Sequence, residues 1–188
     1  MPELTAAFGV IDAVNAEDPT SVVWDGEWVP KALLQGRLAT EWLDRLVPDA
    51  EDALQLACRA HHLRRWAIPR SSYPDGRPGY LRWRRDQKAA HAAELRALLG
   101  PLDLGEATIA RACELVQRTD LGNDGGAQAV EDAACLVFCQ TDLDDLLARL
   151  GPERTLVAVV KTTRKMSPAA IGLVAEALRT DAARTLVA

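Results

Sequence analysis

The segment HHLRRWAIPRSSYPDGRPGYLRWRRDQKAAH, residues 61–91, divides the helical pattern of this chain into two parts. An apolar run that begins near Asp49 continues at helical spacing into the first residues of the segment, to about Trp66. The prolines and glycines that follow exclude a continuous helix, because proline lacks the amide proton and clashes with the preceding turn. Helical spacing returns at the last glycine of the segment and continues to Leu99. The segment therefore predicts two helices joined by a loop.

Apolar residues recur three and four positions apart along almost the whole chain, which predicts an all-α protein, a compact helical bundle in a single domain of residues 1–188. Further helices are expected at residues 4–18, 30–47, 106–118, 127–150, 153–165 and 168–179. Residues 20–29 depart from this pattern, since Val and Trp alternate there around Asp25-Gly26, a pair typical of tight hairpin turns. We interpret these residues as either a loop or a small hairpin.

The charges of residues 61–91 differ in sign from those of the remaining chain. This segment holds all three histidines, both tyrosines and eight of the 22 Lys and Arg residues. Only Asp75 and Asp86 oppose these cations, so the segment carries +6 and the rest of the chain −11. Arginine presents planar paired donors that match phosphate and carboxylate oxygens. The asymmetry predicts a small phosphorylated or nucleotide-like anion as ligand, whereas the net charge of −5 argues against a general polyanion binder.

The residues expected to bind this anion flank the loop between the two helices. Arginines would hold the oxyanion, and aromatic rings would stack on a base or another planar group. The candidates are Arg64, Arg65, Arg70, Tyr73, Tyr80 and Arg82, with Trp66 and Trp83 as further stacking rings. The alternative is a solvated, acid-paired surface, which we expect at least half of the arginines to serve, because a helix must expose one side.

Other features of the sequence exclude several classes of protein. The N-terminal region lacks the pattern of a secretory signal, and no run approaches the ~18 apolar residues of a membrane span, so we expect a cytoplasmic protein without membrane association. The four cysteines have no CxxC spacing, which predicts reduced, mostly buried thiols. The nucleotide, nucleophile and zinc motifs GxxxxGK, GxGxxG, GxSxG and HExxH are missing from the sequence.

The helix end LACRAHHL, residues 56–63, resembles the HD-domain superfamily of metal-dependent phosphohydrolases, in which a helix of small and apolar residues ends in a His-Asp pair. The resemblance implies an HD-domain-like helical bundle in which His61 and His62 occupy that pair. It also implies an earlier histidine, matched by Arg37, and a later aspartate, matched by Asp132. A guanidinium cannot ligate a metal, so Arg37 would instead supply a fixed positive charge to the substrate.

Seven short segments spread along the chain carry a second resemblance. They are NAEDP at 15–19, TEWL at 40–43, HLRRW at 62–66, IPRSSYP at 68–74, GYLRWR at 79–84, EDAACLVF at 131–138 and KMS at 165–167. Through these segments nearly the full chain resembles an uncharacterised family known only as a domain of unknown function, number 4202. That resemblance implies no particular activity.

The histidines and two adjacent acids predict a metal site and a general base. His62, His91 and Asp132, assisted by His61 or Glu131, would leave an open coordination position suited to Zn, Mn, Fe or Co. Glu131 and Asp132 would be the catalytic residues of metal-assisted phosphoester hydrolysis. The alternative has no cofactor: the two neighbouring histidines cap their helix near its C-terminal dipole, His91 pairs with an acid, and the adjacent acids favour the dipole at a helix start.

Three functional hypotheses follow, and whether the chain is an enzyme stays open on the sequence alone. The preferred hypothesis is binding of a small phosphorylated or nucleotide-like anion, with hydrolysis by an HD-like metal-dependent phosphohydrolase as its enzymatic version. The first rival is a noncatalytic module that binds RNA through the Arg and aromatic loop. The second rival is an interaction domain that docks the same loop on an acidic protein.

Overall fold

The computed structural model describes residues 2–187, which form helices joined by short loops and one antiparallel hairpin. The helices are α1 (Pro2–Asn15), α2 (Lys31–Leu46), α3 (Asp52–Arg59), α4 (Gly76–Leu99), α5 (Glu106–Gln117), α6 (Gly125–Thr141), α7 (Leu143–Leu150), α8 (Pro152–Thr163), α9 (Pro168–Gly172), α10 (Val174–Ala177) and α11 (Asp181–Val187). The strands are β1 (Ser21–Trp24) and β2 (Glu27–Pro30), and 3-10 turns at Arg65–Ala67 and Arg70–Ser72 lie between α3 and α4. The prediction of an all-α bundle is confirmed.

The stretch that departs from helical spacing is a hairpin. β1 and β2 pair antiparallel, with Val22 opposite Val29 and Val23 opposite Trp28. Asp25 and Gly26 between them both have positive φ, 49° and 89°, which is the backbone of a type I′ turn. The hairpin interpretation is therefore confirmed, with strands over residues 21–30.

The core forms because the apolar side of each helix faces its neighbours. In α2, Leu34, Leu38 and Trp42 lie one turn apart and are buried, and this face packs on α6. The indole Nε1 of Trp42 donates to Gln140 Oε1 at 2.7 Å, which joins the two helices. Leucines from five helices are completely buried between them: Leu43, Leu56, Leu95, Leu115 and Leu136. Burying each such side chain contributes roughly 1.5–3 kcal/mol.

The inner face of α4 repeats every fourth residue. It consists of Gly79, Trp83, Gln87, His91 and Leu95, all buried. Leu81, which the sequence predicts as an inner position, is 52% exposed because it lies off this stripe. The helix begins at Gly76, three residues before the expected start. A Cβ on Gly79 would lie 1.9 Å from the carbonyl oxygen of Pro74, so only glycine allows the loop to approach the helix this closely.

The helix expected to continue to about Trp66 ends at Arg59, so this prediction is wrong. The imidazole Nδ1 of His61 bonds to the carbonyl oxygen of Cys58 at 2.9 Å and competes for a backbone acceptor of the last turn. Arg64 then adopts a left-handed conformation with φ of 48°. Because the chain turns here, His61 and His62 lie in irregular structure rather than on one helical face.

Two further predicted helices are each divided in the structure. The helix expected at 127–150 breaks between α6 and α7 at Asp142, whose carboxylate accepts hydrogen bonds from Lys31 and Gln35 of α2. The helix expected at 168–179 breaks at Leu173, whose amide bonds to Ala170 three residues back. Ser167 caps the first part as predicted, with Oγ accepting from the amide of Ala170 at 3.2 Å.

The four cysteines agree with the prediction from the sequence. All four cysteines are unpaired and buried. Burial raises the pKa of Cys58 to about 12, so this thiol stays protonated. Within residues 2–187, no helix combines the length and the apolar character that crossing a membrane requires.

Candidate anion-binding cavity

A cavity of about 840 Å³ lies between α2, α4, α6, α8 and the loop that joins α3 to α4. This volume falls within the range of small-molecule sites, roughly 300–1,000 Å³. Each helix contributes side chains three or four positions apart, because that spacing returns to the same face of a helix. On α4 these residues are Tyr80, Arg84, Lys88 and His91. On α8 and just beyond it they are Lys161, Thr162 and Lys165.

Five cations that line the cavity have no ion-pair partner among residues 2–187: Arg65, Arg70, Arg84, Lys88 and Lys161. Two of them lie on aromatic rings, Arg65 at 4.8 Å from the ring centre of Trp83 and Arg84 at 5.9 Å from that of Tyr80. Lys88 Nζ donates to the carbonyl oxygen of Arg118 at 3.1 Å. Burial lowers the pKa of Lys88 to about 8. The cavity therefore holds several cations that form no ion pair within residues 2–187.

The three acids of the cavity are each engaged by other groups. Asp18 accepts from the amides of Thr20 and Ala32, each at 2.9 Å, and so satisfies the start of α2. Asp142 accepts from Lys31 and Gln35. Glu131 forms ion pairs of its own, described next. None of the three is paired with the unpaired cations.

A buried ion-pair network forms one wall of the cavity. Glu131, only 2% exposed, accepts from Lys165 Nζ at 2.6 Å, and its other oxygen lies 3.4 Å from Arg118 Nη1. Arg118 is 9% exposed and has a left-handed backbone with φ of 49°. Burial alone would raise the pKa of Glu131, but Arg118 and Lys165 outweigh it and lower this pKa to about 2. A carboxylate with so low a pKa is a weak proton acceptor at neutral pH.

Two neutral imidazoles line the cavity as well. His62 Nδ1 lies 2.7 Å from Gln35 Oε1, and Gln35 Nε2 donates to Asp142 Oδ2 at 2.8 Å and to Thr141 Oγ1 at 3.0 Å. Because the Gln35 nitrogen donates, its oxygen must accept, so His62 carries its proton on Nδ1. His91 Nδ1 donates to the carbonyl oxygen of Leu63 at 2.6 Å and has the same tautomer.

The protonation state of both imidazoles follows from their burial. Burial lowers the pKa of His91 to about 4, although its bond to Leu63 opposes the shift. Burial and the neighbouring His61 hold the pKa of His62 well below its usual value. Both rings are therefore neutral at pH 7, and each has an unprotonated Nε2.

Eight residues singled out from the sequence meet in this cavity: His62, Arg65, Trp66, Arg70, Tyr80, Trp83, His91 and Glu131. The other six do not line it: Arg37, His61, Arg64, Tyr73, Arg82 and Asp132. Of this second group, Arg82 is exposed and has no ion pair among residues 2–187, so it belongs to the solvated surface that the sequence offered as the alternative.

The remaining five are held by partners elsewhere. Arg37 bonds to Asp12 at 3.2 Å, and Arg64 bonds to Glu94 at 2.7 Å. Tyr73 donates its hydroxyl to Asp86 at 3.0 Å. The side chain of His61 bonds to the backbone of α3, as described above. Asp132 Oδ1 accepts from the amide of Ser167 and from Gln128 Nε2, each at 2.9 Å, and so holds the start of α9 against α6.

The predicted metal ligands are not assembled in this arrangement. Within the described residues, no group of three or more His, Cys, Asp and Glu side chains is placed to hold a metal ion. His62 and His91 share the cavity, whereas His61 and Asp132 do not line it. The four residues therefore do not fit a common metal centre. Metal binding stays a prediction of the sequence, and no step below depends on it.

Several residues of the cavity were not predicted from the sequence: Gln35, Lys88, Arg118, Lys161 and Lys165. Lys161 at the end of α8 and Lys165 just beyond it do give a local signal, because residues four positions apart lie on the same face of a helix. Arg118 gives no such signal, since it is a single cation after α5 and its position depends on the packing of α5 against α6.

The fold and the cavity define a helical bundle with a basic pocket between its helices. A family model described as Domain of unknown function (DUF4202) matches residues 5–187, so the chain belongs to that family. No curated protein matches the chain, and no solved structure does. The resemblance to the HD-domain phosphohydrolases gains no support from these comparisons.

Proposed function

We propose that the cavity binds a small phosphorylated, nucleotide-like anion. The observation that carries the proposal is the set of unpaired cations around one cavity in a chain with an excess of acids. Guanidinium and ammonium groups form short, charge-assisted hydrogen bonds to phosphate oxygens. In a concave, partly desolvated site such bonds are stronger than on an open surface, because water screens the charges less.

The position of the cations favours a small ligand over a polynucleotide. Arg84, Lys88 and Arg118 line a cavity between helices, and Arg118 is almost buried. An extended nucleic acid would instead need cations on an outer surface, where Arg82 lies. At the cavity, Tyr80 is 43% exposed and offers a ring that a base or another planar group could stack on.

Hydrolysis of the bound ester is the enzymatic version of this proposal. No residue of the cavity is assigned as its base, because the lowered pKa values of Glu131, His62 and His91 make all three poor proton acceptors at neutral pH. Arg84 and Lys88 would stabilise negative charge on the phosphoryl oxygens. Binding is tested first, because it does not depend on this step.

The test compares cations that line the cavity with cations of the same helix that do not. Arg84→Ala removes a cavity cation from α4, and Arg82→Ala removes the same charge from its exposed side. On α8 and its C-terminal cap, Lys161→Ala and Arg164→Ala form an equivalent pair. Isothermal titration calorimetry with pyrophosphate and AMP measures the affinity of each variant and of the unmodified protein.

We expect each cavity variant to weaken binding by about 10-fold or more, because hydrogen bonds to charged groups are worth ~1.5–3 kcal/mol. Each control variant should change the affinity by less than about 2-fold. No binding at millimolar anion would refute the proposal. Equal losses in Arg82→Ala and Arg84→Ala, with a steep salt dependence of RNA affinity, would favour the RNA-binding alternative instead.

A further inference from the structure

The two imidazoles of the cavity need hydrogen-bond donors that the protein does not supply. His62 and His91 each use Nδ1 as a donor, to Gln35 and Leu63 respectively. Neither Nε2 has a hydrogen-bond partner among residues 2–187. His91 is only 2% exposed, and both rings line the cavity. Neither atom is among the buried unpartnered atoms of the described residues, so each Nε2 is open to the cavity, where a ligand hydrogen-bond donor can reach it.

A phosphate oxygen does not meet this need. The fully ionised phosphate of a monoester, the main form above its second pKa of about 6, has only acceptors, and it would place lone pairs against the lone pair of each Nε2. Protonation of the rings would remove the conflict, but burial, with Arg118 and Arg65 nearby, disfavours a charged imidazole at either position. The groups that fit a neutral Nε2 are hydroxyl and amine hydrogens.

Three contacts fix the orientation of the His62 ring. Gln35 Oε1 accepts from Nδ1, Asp142 accepts from the amide nitrogen of Gln35, and Lys31 pairs with the same carboxylate. A ring held in one tautomer by such a chain presents a fixed acceptor, which is what selection for a donor requires.

We infer that the ligand is a phosphate ester of a hydroxylated compound, a sugar phosphate or a ribonucleotide, whose hydroxyls donate to Nε2 of His62 and His91 while the cavity cations hold its phosphate. This inference rests on the proposed anion-binding function and adds the chemistry of the rest of the ligand. In this role the two histidines determine specificity, whereas Arg84 and Lys88 provide affinity for any phosphate.

The test uses pairs of ligands that differ in their hydroxyls. Ribose 5-phosphate is compared with pentyl phosphate, and AMP with 2′,3′-dideoxy-AMP, by isothermal titration calorimetry, with inorganic phosphate as the reference. We expect the hydroxylated member of at least one pair to bind about 10-fold more tightly, which corresponds to about 1.4 kcal/mol. A preference in the first pair alone indicates a sugar phosphate, and one in the second pair alone a ribonucleotide.

Variants then identify the groups responsible. His62→Phe and His91→Phe keep a planar ring and remove the acceptor, so each should reduce the preference within a pair while leaving the affinity for pentyl phosphate, which has no hydroxyl on its carbon chain, within about 2-fold. Arg84→Ala should weaken both members of a pair equally. If a phenylalanine variant does not fold, as judged by circular dichroism, the ligand pairs on the unmodified protein still decide.

The outcomes separate this inference from the proposed function. Failure of every phosphate to bind removes the proposed function itself. Phosphate binding with equal affinity for both members of each pair overturns the inference alone. A preference for the hydroxylated ligand that persists in both folded phenylalanine variants also overturns the inference. A preference that disappears with EDTA and returns with Zn²⁺ overturns it as well, because the imidazoles would then act as metal ligands.

Discussion

Replacing Glu131 by Gln tests how the buried ion-pair network contributes to stability. The substitution keeps the size of the side chain and removes the charge that Lys165 and Arg118 share. Arg118 is 9% exposed and has no other carboxylate partner among residues 2–187. The variant therefore leaves a nearly buried guanidinium without compensation, a situation that commonly costs ~3–5 kcal/mol.

The size and the pH dependence of the effect follow from the pKa of Glu131. Folding lowers this pKa from 4.5 to about 2, and one pKa unit corresponds to ~1.36 kcal/mol, so the ionised carboxylate contributes about 3 kcal/mol. A lowered carboxyl pKa stabilises the protein fully above pH 4.5, and this contribution is lost as the pH falls from 4.5 through about 2. The difference between the variant and the unmodified protein should therefore shrink as the pH falls below 4.5.

Urea denaturation at a series of pH values measures this difference. We expect Glu131→Gln to lower the free energy of unfolding at pH 7 by about 3 kcal/mol. The control is Glu94→Gln, because Glu94 pairs with Arg64 at 2.7 Å but its side chain is 35% exposed, and such pairs contribute below ~1 kcal/mol. A Glu131→Gln variant within about 0.5 kcal/mol of the unmodified protein, or a difference that does not shrink below pH 4.5, would show that this reasoning is wrong.

Three further predictions concern the scaffold and the cavity. Arg59 and Arg37 both bond to Asp12, but the Arg59 side chain is 14% exposed and that of Arg37 is 51% exposed. In urea denaturation Arg59→Ala should therefore lower the unfolding free energy by about 2 kcal/mol, and Arg37→Ala should lower it by less than ~1 kcal/mol. Equal losses in the two variants would contradict this prediction. In the same assay Gly79→Ala should lower the unfolding free energy by ~1–3 kcal/mol, because the added Cβ would lie 1.9 Å from the carbonyl oxygen of Pro74. An unchanged unfolding free energy would mean that the loop moves away from the helix at little cost. Dialysis of the protein against EDTA should change its pyrophosphate affinity by less than about 2-fold in calorimetry, since in the proposed site the cations bind the anion directly. A larger loss of affinity that a divalent metal restores would place a metal in the site.

The helices were predictable because their signals are local. Leu34, Leu38 and Trp42 repeat at the period of an α-helix, and the turn between the strands of the hairpin needs residues such as Asp25-Gly26 that accept positive φ. The end of α3 was not predictable in this way. It depends on a side-chain bond and on a left-handed residue, and neither changes the apolar spacing.

One continuous segment, residues 61–91, supplies much of the cavity, so several residues singled out from the sequence lie there together. Others lie outside the cavity because neighbouring residues point in different directions. Arg65 lines the cavity and Arg64 does not, since the positive φ of Arg64 reorients the chain between them. On α4 the phase of the helix separates Arg84 from Arg82. Arg118 and the lysines of α8 come from distant parts of the chain, so tertiary packing alone brings them to the site.

The unpaired cations also affect how the stability of the protein should depend on ionic strength. Arg84 repels Arg65 and Lys88 in the folded chain, and none of the three forms an ion pair with a carboxylate within residues 2–187. Dissolved ions screen such repulsion within ~10 Å at 0.1 M. The melting temperature of the ligand-free protein should therefore rise with ionic strength, and multivalent anions should raise it further at equal ionic strength. Under the proposed function, the ligand would supply the counter-charge that these cations lack within residues 2–187.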